Sequence, residues 1–407
     1  MTVVTLREES ARLGSFRVPR FEVKIAGAGL PGDVVRDVTQ VTYRDNLRQI
    51  DSFEITVNNW DAATRDFKYV GSETSVMPTG KAAQRQRLFD PSAREVEVRM
   101  GYGGELTLML KGHFTTIEPN FPAAGAPTLT VRGLNVLHQL RRKQYTTTWN
   151  DKKDSDIAKD IATLTDPDLG KKRFPLPIDV DPNAEEPELP YVAQRSQYDI
   201  DFLLSRARER GYVFVVVEGD PTATRAIARK RHLYFGPSQA NVPALRRVTF
   251  ELKWGTSLMD FKPTLSTANQ VKAVTVQGWD RATAKPIHEQ VTLADRRLNV
   301  NRDLHPLLDS CDAREEVVVD EPVCTPAEAR QRASAILMDR MKEMVKCQAT
   351  SVGLPDLRAG QRVRITGIGA RFSGTYFVTE TTHTISDAGY LTRFGARRED
   401  DGKGATP

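Results

Sequence analysis

Two stretches decide how this chain is read: KGHFTTIEPNFPAAGAPTLTVRG, residues 111–133, and SGTYFVTETTHTISDAGYLTRFG, residues 373–395. Both carry β-branched and aromatic residues in strand-like runs around a turn rich in Gly, Pro or Asp, the composition of a β-hairpin. They also match in spacing. Seventeen residues lead from Gly112 to Leu129 and from Gly374 to Leu391; twenty-one lead from Gly112 to Gly133 and from Gly374 to Gly395. Each follows an alternating strand that ends in Gly, VEVRMG at Gly101 and QRVRITG at Gly367. A spacing kept twice points to a duplicated β-domain, and a trimer of such a chain would present six similar domains.

Outward from the first stretch, residues 18–136 read almost entirely as strand. FEVKIAG, DVTQVTYRDN, SFEITVNNWD and EVEVRMGYGGELTLML show alternation or β-branched richness, bounded by Gly, Pro and Asn-Asp clusters. Many short strands with frequent turns leave a barrel and a sandwich both open. A mixed segment follows. SDIAKDIATL, residues 155–164, reads as helix. In SQYDIDFLLSRARERG the residues Ile200, Leu203, Leu204 and Ala207 form an amphipathic stripe, with Ser196 and Asp199 as an expected capping box and Gly211 at the C-terminal end. YVFVVV then switches to strand, with RHLYFG as its expected partner. From about Arg246 strands resume, interrupted by a helix expected over 326–346. Thr325, Pro326 and Glu328 give its start, and Ala333, Ile336, Leu337, Met341, Met344 and Val345 its buried stripe.

The expected organisation is mainly β with an α+β insert. It comprises an N-terminal extension 1–17, a first β-domain 18–145, an α+β domain 146–245, a second β-domain 246–398 containing the helix, and a disordered tail 399–407. The longest clean apolar run, YVFVVV, is far short of a membrane span, and the N-terminus lacks the apolar core of a signal peptide. Fifty-eight Lys and Arg are interspersed with 53 Asp and Glu, for a net charge of +5, so no basic face of the kind that binds nucleic acid stands out. The small clusters at 141–143 and 229–231 read as solvated surface. Cys311, Cys324 and Cys347 are odd in number and widely spaced, which fits reduced thiols from a cytosol.

Several motifs invite a chemical reading and fail on spacing. KIAGAGLPGD places Gly27, Gly29 and Gly32 as GxGxxG after a strand, but Pro31 intervenes and DVVRDVTQVTYRD reads on as strand, so a hairpin loop is expected. IDVDPNAEE offers Asp179, Asp181 and Asn183 of a calcium loop but has Ala184 where Gly is needed and Pro190 where Glu is needed. The six histidines are scattered, with no zinc spacing. His383 reads as a strand residue, with Phe377, Thr379, Thr381, His383 and Ile385 alternating onto one face and Tyr376, Val378, Glu380, Thr382 and Thr384 onto the other. No catalytic, cofactor-binding or metal-ligating residue is assigned. The positions singled out are structural ones in hairpins and turns: Gly112, Gly133, Gly278, Trp279, Gly374, Tyr376, Gly389 and Tyr390.

Three stretches together resemble a known family: QYDIDFLLSRARERGYVFVV (197–216), ELKWGTSLMDFKPTLSTANQVKAVTVQGWDRATAKPI (251–287) and GLPDLRAGQRVRITGIGARFSGTYFVTETTHTISDAGYLTRF (353–394). The family is phage late control D, the baseplate hubs of contractile tails and extracellular contractile injection systems, related to the hub module of VgrG proteins. The resemblance spans about residues 18–398. It implies two tail-tube-like β-barrels in one chain, a homotrimer, and a pseudo-hexameric ring that joins a sixfold inner tube to a threefold spike. Implied partners are the tube ring, a separate VgrG- or gpV-like spike (since the sequence ends soon after its last strand) and other baseplate components. No membrane, sequence-specific nucleic acid, cofactor or enzymatic activity is implied. The alternatives are a baseplate-associated hydrolase and a carbohydrate-binding β-protein. Assembly from the bacterial cytoplasm into a phage tail or injection particle is the expected location.

Overall fold

Strand dominates the folded chain wherever β-branched residues recur at period two. A computed structural model describes residues 2–13, 16–71, 85, 87–91, 94–103, 105–174, 176–184, 186–219, 230–238, 248–280, 283–295, 300–309, 314–319 and 323–399. Arg229, Cys311 and residues 400–407 of the expected tail lie outside these.

A short strand β1 (Thr2–Thr5) runs into helix α1 (Leu6–Arg12), where Thr5 and Glu8 form a capping box. The first half-sheet comprises β2 (Pro19–Ile25), β3 (Val38–Asn46), β4 (Ser52–Asn58), β5 (Val96–Tyr102), β6 (Glu105–Asn120) and β7 (Thr128–Asn135). An α+β unit follows, with β8 (Gln144–Lys152), α2 (Asp154–Thr163), β9 (Ile178–Val180), β10 (Leu189–Tyr198), α3 (Asp199–Arg210), β11 (Tyr212–Val217) and β12 (His232–Pro237). The second half-sheet opens with β13 (Val248–Lys253) and β14 (Leu258–Leu265). An insert of β15 (Ala273–Asp280), β16 (Lys285–Thr292), β17 (Glu315–Val318) and helix α4 (Pro326–Lys342) comes next. The chain then returns through β18 (Val345–Val352), β19 (Arg362–Thr366), β20 (Gly374–Ser386) and β21 (Gly389–Arg398).

Neighbour order in the first half-sheet is β2-β5-β6-β7-β4-β3, and in the second it is β13-β19-β20-β21-β18-β14. Numbered within each half, both paths read first, fourth, fifth, sixth, third, second, so the repeat extends to topology. Two departures mark where the copies differ. Strand β2 is antiparallel to β5, whereas β13 is parallel to β19. Equal glycine spacing also does not bring equal register. Gly133 pairs with Phe114, two residues after Gly112, whereas Gly395 pairs with Glu380, six residues after Gly374. The first hairpin opens into loop 121–127 and the second closes on Asp387 and Ala388 alone, and turn length fixes register.

Strand β20 unites the halves. Its first residues pair with β19; residues 380–385 then pair antiparallel with β3, from Glu380↔Asn46 to Ile385↔Val41. The expected alternation along it is overturned by a bulge between Val378 and Glu380. The extra residue shifts the parity, so Tyr376 and Val378 before it share a buried face with Thr381, His383 and Ile385 after it, while Phe377 on the opposite face is buried in a separate cluster with Val213, Val215 and Tyr234. Tyr376 and Val378 enter the second core with Phe250, Leu252, Val363 and Phe394. Ile385 and, across the turn, Tyr390 enter the first core with Val41, Phe53, Ile55, Val98 and Val131. The tip of the second hairpin therefore completes the core of the first half.

Other expectations need correction. The residues after Gly32 form a short helix, Gly32–Asp37, before β3 starts, although Gly27 and Gly29 do sit in a hairpin turn. Ser196 does not cap α3: Tyr198 is the N-cap with no side-chain bond, and Ser196 lies in β10 with φ +47°. Gly211 does end α3 in the left-handed region at φ +67°, and β11 pairs antiparallel with β12. Helix α4 keeps its Thr325–Glu328 capping box but ends at Lys342, so Met344 and Val345 belong to the following turn and β18. With β15 and β16 it builds a core of its own, from Val274, Val276, Ile287, Ala333, Leu337 and Met341.

Candidate functional site

Joining the halves through β3 and β20 sets seven antiparallel strands side by side, in the order β18-β21-β20-β3-β4-β7-β6. The side chains on one face of these strands fill the two cores; the other face is mostly polar, apart from Phe377, which packs with Val213, Val215 and Tyr234 of the α+β unit. Its residues fall into cross-strand rows. One row runs Thr350, Arg393, Thr382, Arg44 and Ser52. The next runs Leu391, Thr384, Thr42, Glu54, Arg132 and Thr116. Gln40, Thr56, Thr130 and Glu118 form a third. Threonine recurs because it is β-branched and still wettable, which suits a strand surface facing water.

Charges on this face are tied in pairs. Arg132 bridges Glu54 at 2.9 Å and Glu118 at 2.6 Å, and Arg44 lies 3.8 Å from Glu54. Asn46 and Gln348 donate to the two oxygens of Glu380 at 3.1 and 3.2 Å, one from each half. Thr56 and Thr130 share a 3.3 Å hydrogen bond. Exposed pairs of this kind add about 0–1 kcal/mol each, so what they set is the character of the surface more than the stability of the sheet.

Beneath the same strands lies a buried polar seam. The loop 353–361 crosses it and brings in Arg358, whose guanidinium covers the Tyr43 ring at 4.7 Å. Arg358 donates to the carbonyls of Leu108, Met109 and Pro355 at 3.1, 3.2 and 2.8 Å. Asp45 accepts the Ala359 amide at 3.1 Å and the Thr381 hydroxyl. Burial pushes the Asp45 carboxyl above its ordinary range, against the opposing pull of Arg358 and these hydrogen bonds. His383 is wholly buried beside them. Its Nε2 donates to the Leu357 carbonyl at 2.9 Å, and its Nδ1 accepts from Tyr390 at 3.0 Å and Thr392 at 3.1 Å. Every ring nitrogen is occupied by the fold. Among the described residues no group of three His, Cys, Asp or Glu is arranged to hold a metal ion.

The eight positions singled out in the sequence do not converge on one site. Gly112 and Gly133 lie in the first hairpin at points of close approach. A Cβ on Gly112 would fall 2.0 Å from the Leu134 carbonyl oxygen, and one on Gly133 2.3 Å from the Phe53 ring. Gly278 stands against Val323, and the neighbouring Trp279 is 53% exposed on the insert. Gly374 (φ +148°) opens β20 and Gly389 (φ +100°) opens β21. Tyr376 is buried and donates to the Phe372 carbonyl at 2.7 Å. Only Tyr390 reaches the seam. Sequence reading missed Arg358 and Asp45, which lie more than 300 residues apart. Asp45 had left one trace: in VTYRD it occupies the inward phase set by Val41 and Tyr43.

Comparison with known proteins bears on the fold. The family model Alg8_N, described as the Alg8 N-terminal domain, matches residues 15–387. No curated protein matches the chain. Among solved structures it is similar to the 43 kDa tail protein of prophage MuSo2 from Shewanella oneidensis, at 14% identity and a TM-score of 0.62, covering 94% of this chain and 99% of that one. It is similar to the tail protein from Neisseria meningitidis MC58, at 13% identity and a TM-score of 0.59, covering 94% and 96%. It is also similar to an E. coli component of the type VI secretion system, described as structurally similar to the T4 bacteriophage tail proteins gp27 and gp5. That match has 14% identity and a TM-score of 0.53, and covers 95% and 79%. At these identities the likeness is one of fold, and it runs nearly the whole length of the chain.

Proposed function

We propose that this chain, which belongs to the Alg8 N-terminal domain family, is a structural hub of a contractile tail or injection particle. Three copies would set their six half-sheets around a channel as two tube-like barrels per chain, with pseudo-sixfold symmetry. Such a ring matches a sixfold inner tube on one side and a threefold spike on the other. The proposed domains are residues 18–145 and 246–398 for the barrels and 146–245 for the α+β unit between them. The partners are then a second and third copy, the tube protein, a spike protein and neighbouring baseplate components, in a particle assembled from the bacterial cytoplasm.

One observation carries the reading: the same strand path occurs twice in the chain, and one mostly polar face runs across both copies. A ring of this kind needs heterologous contacts, which close by rotation where a two-fold contact cannot. The paired charges and threonines suit a wall along which a cargo passes without being held. Among the described residues no helix is long and apolar enough to cross a membrane. The role proposed is architectural, with no catalytic step.

Mass photometry and negative-stain electron microscopy of the purified full chain test it. The expected result is a species of three subunit masses that appears as a ring and binds the tube protein at one end. A chain that stays monomeric at micromolar concentration, with and without tube and spike proteins, would sink it.

A further inference from the structure

We propose that the N-terminal segment is a latch, closed by Arg12, that holds β1 on the outer side of β13 and fastens the two half-sheets to each other. Strand β1 lies parallel to β13, from Thr2↔Val248 to Thr5↔Glu251. Val4 is buried in the second core and Leu13 in the first, and Phe16 packs against both. Arg12 stands between these anchors. Its Nη1 lies 2.8 Å from Glu105 on β6 of the first half; its Nη2 lies 2.8 Å from Glu9 on α1 and 2.5 Å from Asp356 in the loop 353–361 of the second half. Asp356 also accepts the Thr107 hydroxyl from β6 at 3.3 Å. Arg358 also bears on Asp356, with its guanidinium over the Tyr43 ring and under the pull of Asp45. One guanidinium thus gathers three carboxylates from three elements, and Glu9 among them is 1% exposed.

Helix α1 has seven residues and β1 four, both too short to persist without tertiary support. Without Arg12, three partly desolvated carboxylates face one another, and leaving a buried ion cluster short of its cation is far costlier than removing the cluster whole. The segment then leaves as a unit. Its departure bares the backbone of β13 along one side, an edge able to take up another strand.

Hydrogen exchange of the full chain, read by mass spectrometry, tests the latch in Arg12→Met, Arg12→Lys and the triple variant Arg12→Met, Glu105→Gln, Asp356→Asn. In Arg12→Met, amides of residues 2–13 and 248–253 should exchange at least about tenfold faster than in the native chain, while residues 41–46 and 380–385 stay unchanged. Arg12→Lys should fall between. The triple variant should regain part of the protection, since Glu9 keeps its charge but no longer faces two other carboxylates. Unchanged protection in Arg12→Met overturns the latch. So does a loss spread evenly over both half-sheets, and so does a triple variant as open as Arg12→Met. The ring proposed above is tested by subunit mass and stands or falls separately.

Discussion

The Tyr390 hydroxyl donates to His383 Nδ1 across the Asp387–Ala388 turn, at 3.0 Å. Thr392 lies 3.1 Å from the same nitrogen, and Nε2 is spent on the Leu357 carbonyl, which can only accept and so fixes the tautomer of the neutral ring. Burial and the nearby charge of Arg358 push its pKa well below the usual imidazole value. The sign follows directly. Below about 6.5 the unfolded chain takes up a proton that the folded chain refuses, so the contribution is complete above that pH and lost as pH falls. The slope from this residue is at most about 1.4 kcal/mol per pH unit. Urea midpoints from pH 8 to pH 5 should fall in the native chain. In His383→Gln they should start lower and lose that acid slope; an unaltered slope would assign it elsewhere.

Asp45 should act in the opposite direction. Its carboxyl is raised by burial, so between its ordinary value of 3.8 and its folded value the native state holds a proton that the unfolded chain has released. Stability from this group falls as pH rises through that window, and at neutral pH the ionised carboxylate is a net cost, moderated by Arg358, Ala359 and Thr381. Asp45→Asn removes this opposing contribution, so the acid limb set by His383 should become steeper than in the native chain. Combined with His383→Gln it should leave a profile flatter than either single variant gives, and the same urea series across the four proteins checks this.

The hairpin glycines should separate by mechanism. Gly133 has its would-be Cβ 2.3 Å from the Phe53 ring and 2.5 Å from the His113 carbonyl oxygen, so Gly133→Ala must move a buried ring or a strand. A cost of about 1–3 kcal/mol is expected. Gly389 has φ +100° with nothing within 4 Å, so Gly389→Ala meets only backbone strain, about 1 kcal/mol. Thermal unfolding of the two variants checks the order, and equal losses would contradict it.

Local chemistry was legible in the sequence, and long-range geometry was not. The Thr325–Glu328 capping box, the left-handed Gly211 and the β11–β12 pair all follow from residues close together in the chain. The bulge at Thr379 leaves no mark in composition, because Thr suits both phases of a strand; the buried face beyond it was therefore placed on the right residues and joined to the wrong ones before it. Equal spacing of Gly112 and Gly374 concealed unequal registers, since the intervening loops differ. Arg12, Asp45 and Arg358 owe their partners to contacts spanning more than 300 residues, and no window of sequence reports those.

The polar face offers the remaining prediction. Glu54, Glu118 and Glu380 balance Arg44, Arg132 and Arg393 on strands that cross both halves. Replacing the three glutamates by glutamine removes partly exposed pairs and leaves Arg44, Arg132 and Arg393 uncompensated, so the monomer should lose about 1 kcal/mol per site or less. If this face lines the channel, the trimer should still form, but a polyanionic cargo would meet a strongly cationic wall and be held there. Assembled particles carrying the triple variant should then deliver nucleic acid at least about tenfold less well at low salt, with partial recovery as ionic strength rises and screens the wall. Ring formation is read by electron microscopy and delivery by transfer of a marked cargo. Normal delivery from fully assembled particles would remove this face from the channel.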